Sequence, residues 1–191
     1  MALLCQNLSS SPITVTFDLP KTMNTQLLGT PAPIQLQPQQ KVPQQFVLNF
    51  KSLSIPQKLK GTITYNPGIS LPFFLNLPCS LFILPQKISF EEFCNLVKNV
   101  GTLVLSNCSV DFIQGYNSKQ MMQKVASILN IELIQLHGED GIFYGKSVQN
   151  HHTFVMVKTK GKQLQVEIKC VDGALASNLA LELDQRMKEL N

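Results

Sequence analysis

The hydrophobic pattern of this chain changes once, between residues 78 and 85, and that change limits the folds it can adopt. Before Pro78, apolar and polar residues alternate, as they do from Ile13 to Leu19, and alternation places apolar side chains on one face of a β-strand. After Pro85, several segments repeat apolar residues every three or four positions, which lines one face of a helix. We therefore predict two subdomains, an all-β unit over residues 1–78 and an α+β unit over residues 79–191.

Residues 1–78 have the pattern of a series of short strands. Strand patterns occur in ITVTFDL, FVLNF, LKGTITY and ISLPFFLNL, and a turn is predicted at Asn66-Pro67-Gly68. Residues 30–45 are rich in proline and glutamine, a composition that favours edge strands and loops. Short strands at even spacing, without a helical pattern, are typical of an Ig-like antiparallel β-sandwich.

Three helices and five strands are predicted in residues 79–191. Each helix follows a polar residue that can cap it, namely Ser89, Asn117 or Asp172. The apolar stripes of the helices are Phe90, Phe93, Cys94 and Val97; Met121, Val125, Ile128 and Leu129; and Leu175, Leu179, Leu183, Met187 and Leu190. The strands are TLVLSNCSV, IELIQL, GIFYGKSV, TFVMVK and QLQVEIK. This order predicts an antiparallel sheet backed by helices, which we call the platform.

The composition is that of a folded domain outside the membrane, with 44% hydrophobic and 15% charged residues. The longest apolar stretch is interrupted by Pro72, Asn76 and Pro78, so it is too short to span a bilayer. The first ten residues lack the basic head and apolar core of a secretory signal. Five scattered cysteines without a CxxC pair indicate reduced, mostly buried thiols. We expect a soluble, cytoplasmic protein.

The positive charge lies in the first subdomain. Five lysines, among them Lys51, Lys58 and Lys60, stand against one aspartate in residues 1–78, whereas eleven basic residues balance eleven acids in the remainder. The lysines either form a basic surface for acidic partners or protect a sheet edge from pairing. Because the chain has one arginine and no dense basic run, we do not expect it to bind nucleic acid.

His151 and His152 are the residues that most suggest chemistry. Neighbouring residues on a strand point to opposite faces, so the two imidazoles are poorly placed to share a metal. The third histidine, His137, belongs to a separate predicted turn, and Asn150 suits the left-handed backbone of a tight turn. We therefore predict a structural hairpin and no metal site.

Sequence motifs for catalysis are missing from the chain. It has no GxSxG elbow, no GxGxxG loop and no phosphate-binding loop. The acidic pairs Glu91-Glu92 and Glu139-Asp140 fall at a helix start and in a turn, where carboxylates are common for structural reasons. We predict that the protein is not an enzyme and uses no cofactor.

Two predicted strands carry apolar residues on both faces. Residues 142–148 and 153–158 include Phe143, Tyr144, Phe154 and Met156. We expect the helices to cover only one face of the sheet, so the other face needs another layer or a protein partner. This apparent surplus of apolar surface predicts protein binding by the platform.

Four stretches of the chain are informative through their order and spacing. They are QKLKGT at 57–62, SVQNHH at 147–152, VK at 157–158, and KC at 169–170 followed by Asp172, Leu175, Ser177, Asn178 and Leu179. Together they resemble the appendage, or ear, domains of vesicle-coat adaptor subunits, and within that family they are most similar to the delta-adaptins of adaptor protein complex 3. The similarity extends from about residue 40 to the end of the chain.

The resemblance implies a non-enzymatic module of a vesicle coat. Such a module is cytoplasmic and peripheral on Golgi and endosomal membranes, reaches the membrane only through the coat, and acts in transport toward lysosome-related compartments. Ears of this family recruit accessory or regulatory proteins through short, extended motifs. The alternative is a regulatory ear that docks onto another subunit of its own adaptor complex.

The resemblance also indicates where partners would bind. In endocytic relatives the first platform helix supplies a tryptophan that contacts the partner peptide, and this chain has no Trp. The matching helix has Phe93, Leu96 and Val97 instead. The two-sided apolar pattern of residues 142–148 adds Tyr144, which we expect nearby in the sheet. These four residues are the predicted protein-binding patch. One alternative is that Phe93, Leu96 and Tyr144 belong to the core, and the other is that partners bind the basic surface of Lys51, Lys58 and Lys60.

Overall fold

The computed structural model describes residues 2–22, 24–29, 31–65 and 68–190. The chain divides into two compact units, one formed by residues 1–52 and 57–77 and the other by residues 53–56 and 78–191. The fold is a mixture of antiparallel β-sheets and an α+β unit, which confirms the predicted fold class. No helix in the described part of the chain is long and apolar enough to cross a bilayer.

The first unit consists of strands alone in its described residues. They are β1 (Ala2–Gln6), β2 (Ile13–Asp18), β3 (Thr25–Leu27), β4 (Ile34–Leu36), β5 (Lys41–Gln45), β6 (Leu48–Phe50), β7 (Gln57–Tyr65) and β8 (Ile69–Leu77). Four of them form an antiparallel sheet in the order β4-β2-β7-β8, and two further sheets pair β1 with β5 and β3 with β6. The predicted turn between β7 and β8 includes Asn66 and Pro67, which lie outside the described residues.

Alternation along β2 positions the core of this sandwich-like unit. Val15 and Phe17 are buried, while Thr14, Thr16 and Asp18, which alternate with them, are exposed. The ring of Phe17 meets that of Phe46 edge-on, with centroids 5.2 Å apart. Each buried aromatic side chain stabilises the fold by roughly 1.5–3 kcal/mol relative to its exposed state.

The second unit is the platform. It contains a 3-10 turn (Cys79–Phe82), β9 (Ile83–Pro85), α1 (Phe90–Asn99), β10 (Val104–Asp111), α2 (Ser118–Leu129), β11 (Glu132–His137), β12 (Asp140–Ser147), β13 (His152–Lys160), β14 (Gln163–Cys170) and α3 (Gly173–Lys188). The antiparallel sheet has the order β10-β14-β13-β12-β11, and β9 pairs with the end of β12 that β11 does not reach. Gly145 is needed at this join because a Cβ there would lie 2.6 Å from Ile83 Cγ2 and 2.9 Å from Ile131 Cγ2.

The three predicted N-caps are all present. The side chains of Ser89, Asn117 and Asp172 accept hydrogen bonds from the backbone N–H groups of the third helical residues, which otherwise have no partner in the helix. Asn117 and Gln120 form a full capping box. Two residues of the predicted stripes are placed differently, because Phe90 is 41% exposed and Leu190 lies beyond the end of α3. Both residues are at helix ends, where an exposed side chain does not disturb the packing of the core.

Helices cover both faces of the platform sheet, so the expectation that they cover only one face is wrong. On one face, α2 and α3 pack against Phe143, Val155, Val166 and their neighbours in a single core. On the other face, α1 packs through Phe93 against Tyr144 and Phe154. The apolar residues on both sides of β12 and β13 are therefore used within the fold.

Candidate protein-interaction surfaces

A cluster of aromatic rings lies between α1 and the sheet. Phe93 meets Tyr144 and Phe154 edge-on, with centroid distances of 6.5 and 5.3 Å, and His152 stacks on Phe154 at 6.1 Å. Phe93 is 5% exposed and Tyr144 is 3% exposed. Two of the four residues in the predicted patch thus form the floor of the patch rather than its surface.

The other two patch residues lie at the border of this cluster. Leu96 and Val97 are half-buried on α1 and pack against the ring cluster. Asn95 and Lys98, which flank them in sequence, are exposed. Phe90, at the start of α1, adds a partly exposed ring that stands 6.0 Å from the ring of His137. The structure therefore brings all four predicted residues into one neighbourhood, of which Leu96 and Val97 reach solvent.

His152 and Tyr144 form a hydrogen-bonded pair within the cluster. The Tyr144 hydroxyl lies 2.6 Å from His152 Nδ1. Burial, and then the nearby Lys146 ammonium, lower the pKa of His152, while burial and then Glu92 raise the pKa of Tyr144. Both effects favour the uncharged forms, so the pair is suited to holding the rings in position beneath α1.

His151 points to a different set of groups. Its Nδ1 lies 3.7 Å from an oxygen of Asp172, the N-cap of α3, and its backbone N–H donates to the Ser147 hydroxyl oxygen. The turn that separates the two histidines from β12 has Asn150 in the left-handed conformation, with φ of 67°. The imidazoles of His151 and His152 thus face opposite sides of the hairpin. No group of three or more His, Cys, Asp or Glu side chains in the described ranges is arranged to hold a metal ion.

Asp172 also anchors the short segment 53–56 to the platform. The Ser54 hydroxyl donates to the Asp172 carboxylate, and Asn178 Nδ2 donates to the Ser54 carbonyl oxygen over 2.8 Å. Burial acts to raise the pKa of Asp172, but the hydrogen bonds from Ser54 and from the Leu175 backbone outweigh it and lower the pKa. The carboxylate therefore stabilises both the start of α3 and the position of this segment.

Two of the free thiols, those of Cys79 and Cys108, have little nucleophilic character. Burial, and then the Glu182 and Asp172 carboxylates, raise the pKa of Cys79 to about 12. Burial, and then Asp184, raise the pKa of Cys108 to about 11. Because the thiolate is the reactive form, these thiols are poor nucleophiles at neutral pH.

The alternative basic surface is formed in part on the sandwich. Lys58 and Lys60 are exposed on the same face of β7, and their Nζ atoms lie 5.4 and 5.9 Å from the centroid of the Phe74 ring on β8. Phe74 is 58% exposed. Lys51 follows β6, which belongs to another sheet. Of the predicted trio, Lys58 and Lys60 therefore form a pair around an exposed aromatic ring that the sequence analysis did not single out.

One buried polar contact was missed at the sequence level. Glu182 on α3 is 8% exposed and accepts hydrogen bonds from the backbone N–H and the hydroxyl of Ser80 in the 3-10 turn. Arg186 Nη1 lies 3.4 Å from the same carboxylate. The sequence spacing indicates that Glu182 is buried, because it lies three residues after Leu179 and so falls on the apolar stripe of α3.

Comparisons with known proteins give a matching family and two relatives. The family model described as AP3 Mu C-terminal domain matches residues 80–188, which run from the 3-10 turn to the end of α3. AP-3 complex subunit delta-1 of Bos taurus is 28% identical over 166 residues, which cover 83% of this chain and 14% of that protein. AP-3 complex subunit delta of Dictyostelium discoideum is 28% identical over 145 residues, which cover 73% of this chain and 13% of that protein. The chain thus spans only a small part of the length of these relatives.

Proposed function

This chain belongs to the AP3 Mu C-terminal domain family, and from that premise we propose that it is a non-enzymatic appendage of an adaptor-complex subunit of the AP-3 delta type. The observation that carries the proposal is the family match over residues 80–188, which includes most of the platform. The similarity to two AP-3 delta subunits over most of this chain supports the same assignment.

The appendage recruits accessory or regulatory proteins through short, extended motifs. It acts in the cytoplasm, peripheral on Golgi and endosomal membranes, in transport toward lysosome-related compartments, and it reaches the membrane through the coat. The border of α1 supports this role, because Leu96 and Val97 present apolar surface on a rigid floor formed by Phe93 and Tyr144. Shallow apolar surface of this kind suits an extended peptide.

A regulatory role within the complex is the second candidate. In that case the appendage docks onto another subunit of its own adaptor complex. The lysine pair around Phe74 favours such a contact, because two ammonium groups beside an exposed ring attract an acidic surface that carries an apolar side chain.

Affinity capture with matched variants tests the two candidates. The tagged chain would be expressed in cells, and captured adaptor-complex subunits and other proteins would be identified separately by mass spectrometry. We expect the Leu96→Ser, Val97→Ser double variant to lose capture of accessory proteins. The control is Asn95→Ser, an exposed position on the same helix, and every variant must keep the circular dichroism spectrum of the original chain.

The outcomes separate the candidates. If Lys58→Glu, Lys60→Glu removes capture while the Leu96 and Val97 variant retains it, the sandwich is the working surface and the α1 proposal fails. If the captured proteins are adaptor-complex subunits alone, the regulatory role is correct. Capture of neither class would contradict the appendage assignment.

A further inference from the structure

Strand β10 has one edge without a partner strand in the described part of the chain. It pairs along its full length with β14, from Val104 opposite Cys170 to Asp111 opposite Gln163, without a shift in register. The order of the sheet places β10 at its end. An edge strand of eight residues offers backbone N–H and C=O groups to any extended chain that lies beside it.

The register shows which backbone groups face outward. One residue beyond the strand, the Phe112 N–H donates to the Lys162 carbonyl oxygen over 2.9 Å, so this pair is of the hydrogen-bonded type. Because such pairs alternate along an antiparallel ladder, the even-numbered residues of β10 bond to β14. The N–H and C=O groups of Leu105, Asn107 and Ser109 therefore point toward the open edge.

Other outer strands of this chain carry features that limit pairing. Strand β9 has three residues and ends at Pro85, β11 has an irregularity between Leu133 and Gln135, and β8 contains Pro72. These are ordinary means of protecting an edge. Strand β10 has no proline, no lysine and no irregularity in its pairing. Its edge is thus long, regular and unprotected.

A groove runs between this edge and α3. It has a volume of about 490 Å³ and is lined by residues 106–109 of β10 and by Ser177, Ala180, Leu181 and Asp184 of α3. Leu181 in its lining is 58% exposed, and the Ser106 hydroxyl of β10 lies 3.0 Å from the Ser177 hydroxyl of α3. An open strand edge beside a helix is the arrangement in which several peptide-recognition domains add an extended peptide to their sheet.

We propose that β10 binds an extended peptide as an additional strand, with alternate side chains of the peptide entering the groove beside α3. The groove suits small aliphatic or hydroxyl-bearing side chains, because Cys108, Ala180 and Leu181 line it together with the serines Ser106, Ser109 and Ser177. The Asp184 carboxylate in its lining is already paired with Lys188 Nζ at 2.7 Å. This site is on a different element from the α1 border. It does not depend on the adaptor role, and its failure would leave that role untouched.

The test uses a proline at an outward-facing position. A phage-displayed library of linear ten-residue peptides would be panned on the intact chain, and the tightest synthetic peptide measured by fluorescence anisotropy. Asn107→Pro removes one outward N–H and keeps the bonds to β14, since proline is tolerated on an edge where its nitrogen faces solvent. We expect it to weaken binding by about tenfold or more, because a peptide carbonyl loses its donor. The matched control, Asn107→Ala, keeps the N–H and should bind within about twofold.

A second measurement avoids reliance on the folding of the proline variant. Amide hydrogen exchange followed by NMR on the unmodified chain should show that the peptide protects the amides of Leu105, Asn107 and Ser109. The proposal is overturned if a folded Asn107→Pro binds the peptide as the original chain does, if these amides gain no protection, or if panning yields no binding peptide. It is also overturned if the chain forms a dimer that Asn107→Pro abolishes, because the edge would then serve a second copy.

Discussion

The buried carboxylate of Glu182 should be one of the main polar supports of the platform. It accepts hydrogen bonds from the Ser80 N–H, over 3.1 Å, and from the Ser80 hydroxyl, and Ser80 itself is 4% exposed. Glu182→Ala removes both acceptor oxygens and leaves these two donors buried without a partner. The 3-10 turn that precedes β9 would lose its polar attachment to α3.

The magnitude follows from these contacts. A buried donor left without a partner costs about 1–3 kcal/mol, and two donors are affected. Removing a buried charge returns part of this cost, because a carboxylate loses hydration when it is buried. We expect Glu182→Ala to lower the free energy of unfolding by roughly 2–4 kcal/mol, and Glu182→Gln, which keeps one acceptor, by about half as much. At about 4 °C per kcal/mol, the alanine variant should melt roughly 8–16 °C lower.

Differential scanning calorimetry at pH 7 measures this change. The control is Asp184→Ala on the same helix, which breaks a surface ion pair with Lys188 and should cost at most about 0.5 kcal/mol. If Glu182→Ala melts within about 2 °C of the control, the buried contact with Ser80 contributes little and the reasoning is wrong.

Three further changes should affect stability in ways that the structure defines. Gly145→Ala should cost about 1–3 kcal/mol, measured by urea unfolding, because its Cβ would collide with Ile83 and Ile131; an unchanged midpoint would contradict this. The lowered pKa of Asp172 means that the folded state binds fewer protons than the unfolded state. The stability that this carboxylate contributes is therefore complete when the pH is above its ordinary pKa of 3.8, and it is lost as the pH falls below that value. In urea unfolding between pH 2 and 6, the free energy of unfolding should fall more steeply with decreasing pH in the original chain than in Asp172→Asn. Tyr144→Phe removes the hydroxyl that is hydrogen-bonded to His152 and should lower the free energy of unfolding by about 0.5–1.5 kcal/mol. If calorimetry shows no loss of stability, water takes the place of this hydroxyl.

Local signals predicted the elements of the platform well. Ser89, Asn117 and Asp172 were recognised as caps because a capping side chain needs only the N–H groups of the next three residues. The strands of the sheet were likewise visible in the sequence, because alternation is set within each segment. Phe93 was predicted from the family resemblance and Tyr144 from the two-sided apolar pattern of its strand, and the structure places the two rings edge-on at 6.5 Å.

The arrangement of elements in space was harder to predict. The stripe of α1 shows which face of the helix is apolar, but it does not show which face of the sheet that helix covers. For this reason the two-sided apolar pattern of β12 and β13 predicts another layer or a partner on the face that α1 in fact covers. The contact of Glu182 with Ser80 spans 102 residues, and no local rule connects such positions. The open edge of β10 also depends on the order of all the strands, which periodicity does not determine.

Binding at the edge of β10 should depend on its backbone more than on its side chains. The outward groups belong to Leu105, Asn107 and Ser109, whose side chains lie on the sheet face opposite α3. An added strand forms its hydrogen bonds with main-chain atoms, which any non-proline residue supplies. Replacing all three side chains by threonine, a good strand former, should therefore change the affinity for the selected peptide by less than about threefold, whereas the single Asn107→Pro change should abolish most of it. If the threonine variant stays folded and loses binding as severely as the proline variant does, recognition depends on side chains, and the peptide does not extend the sheet.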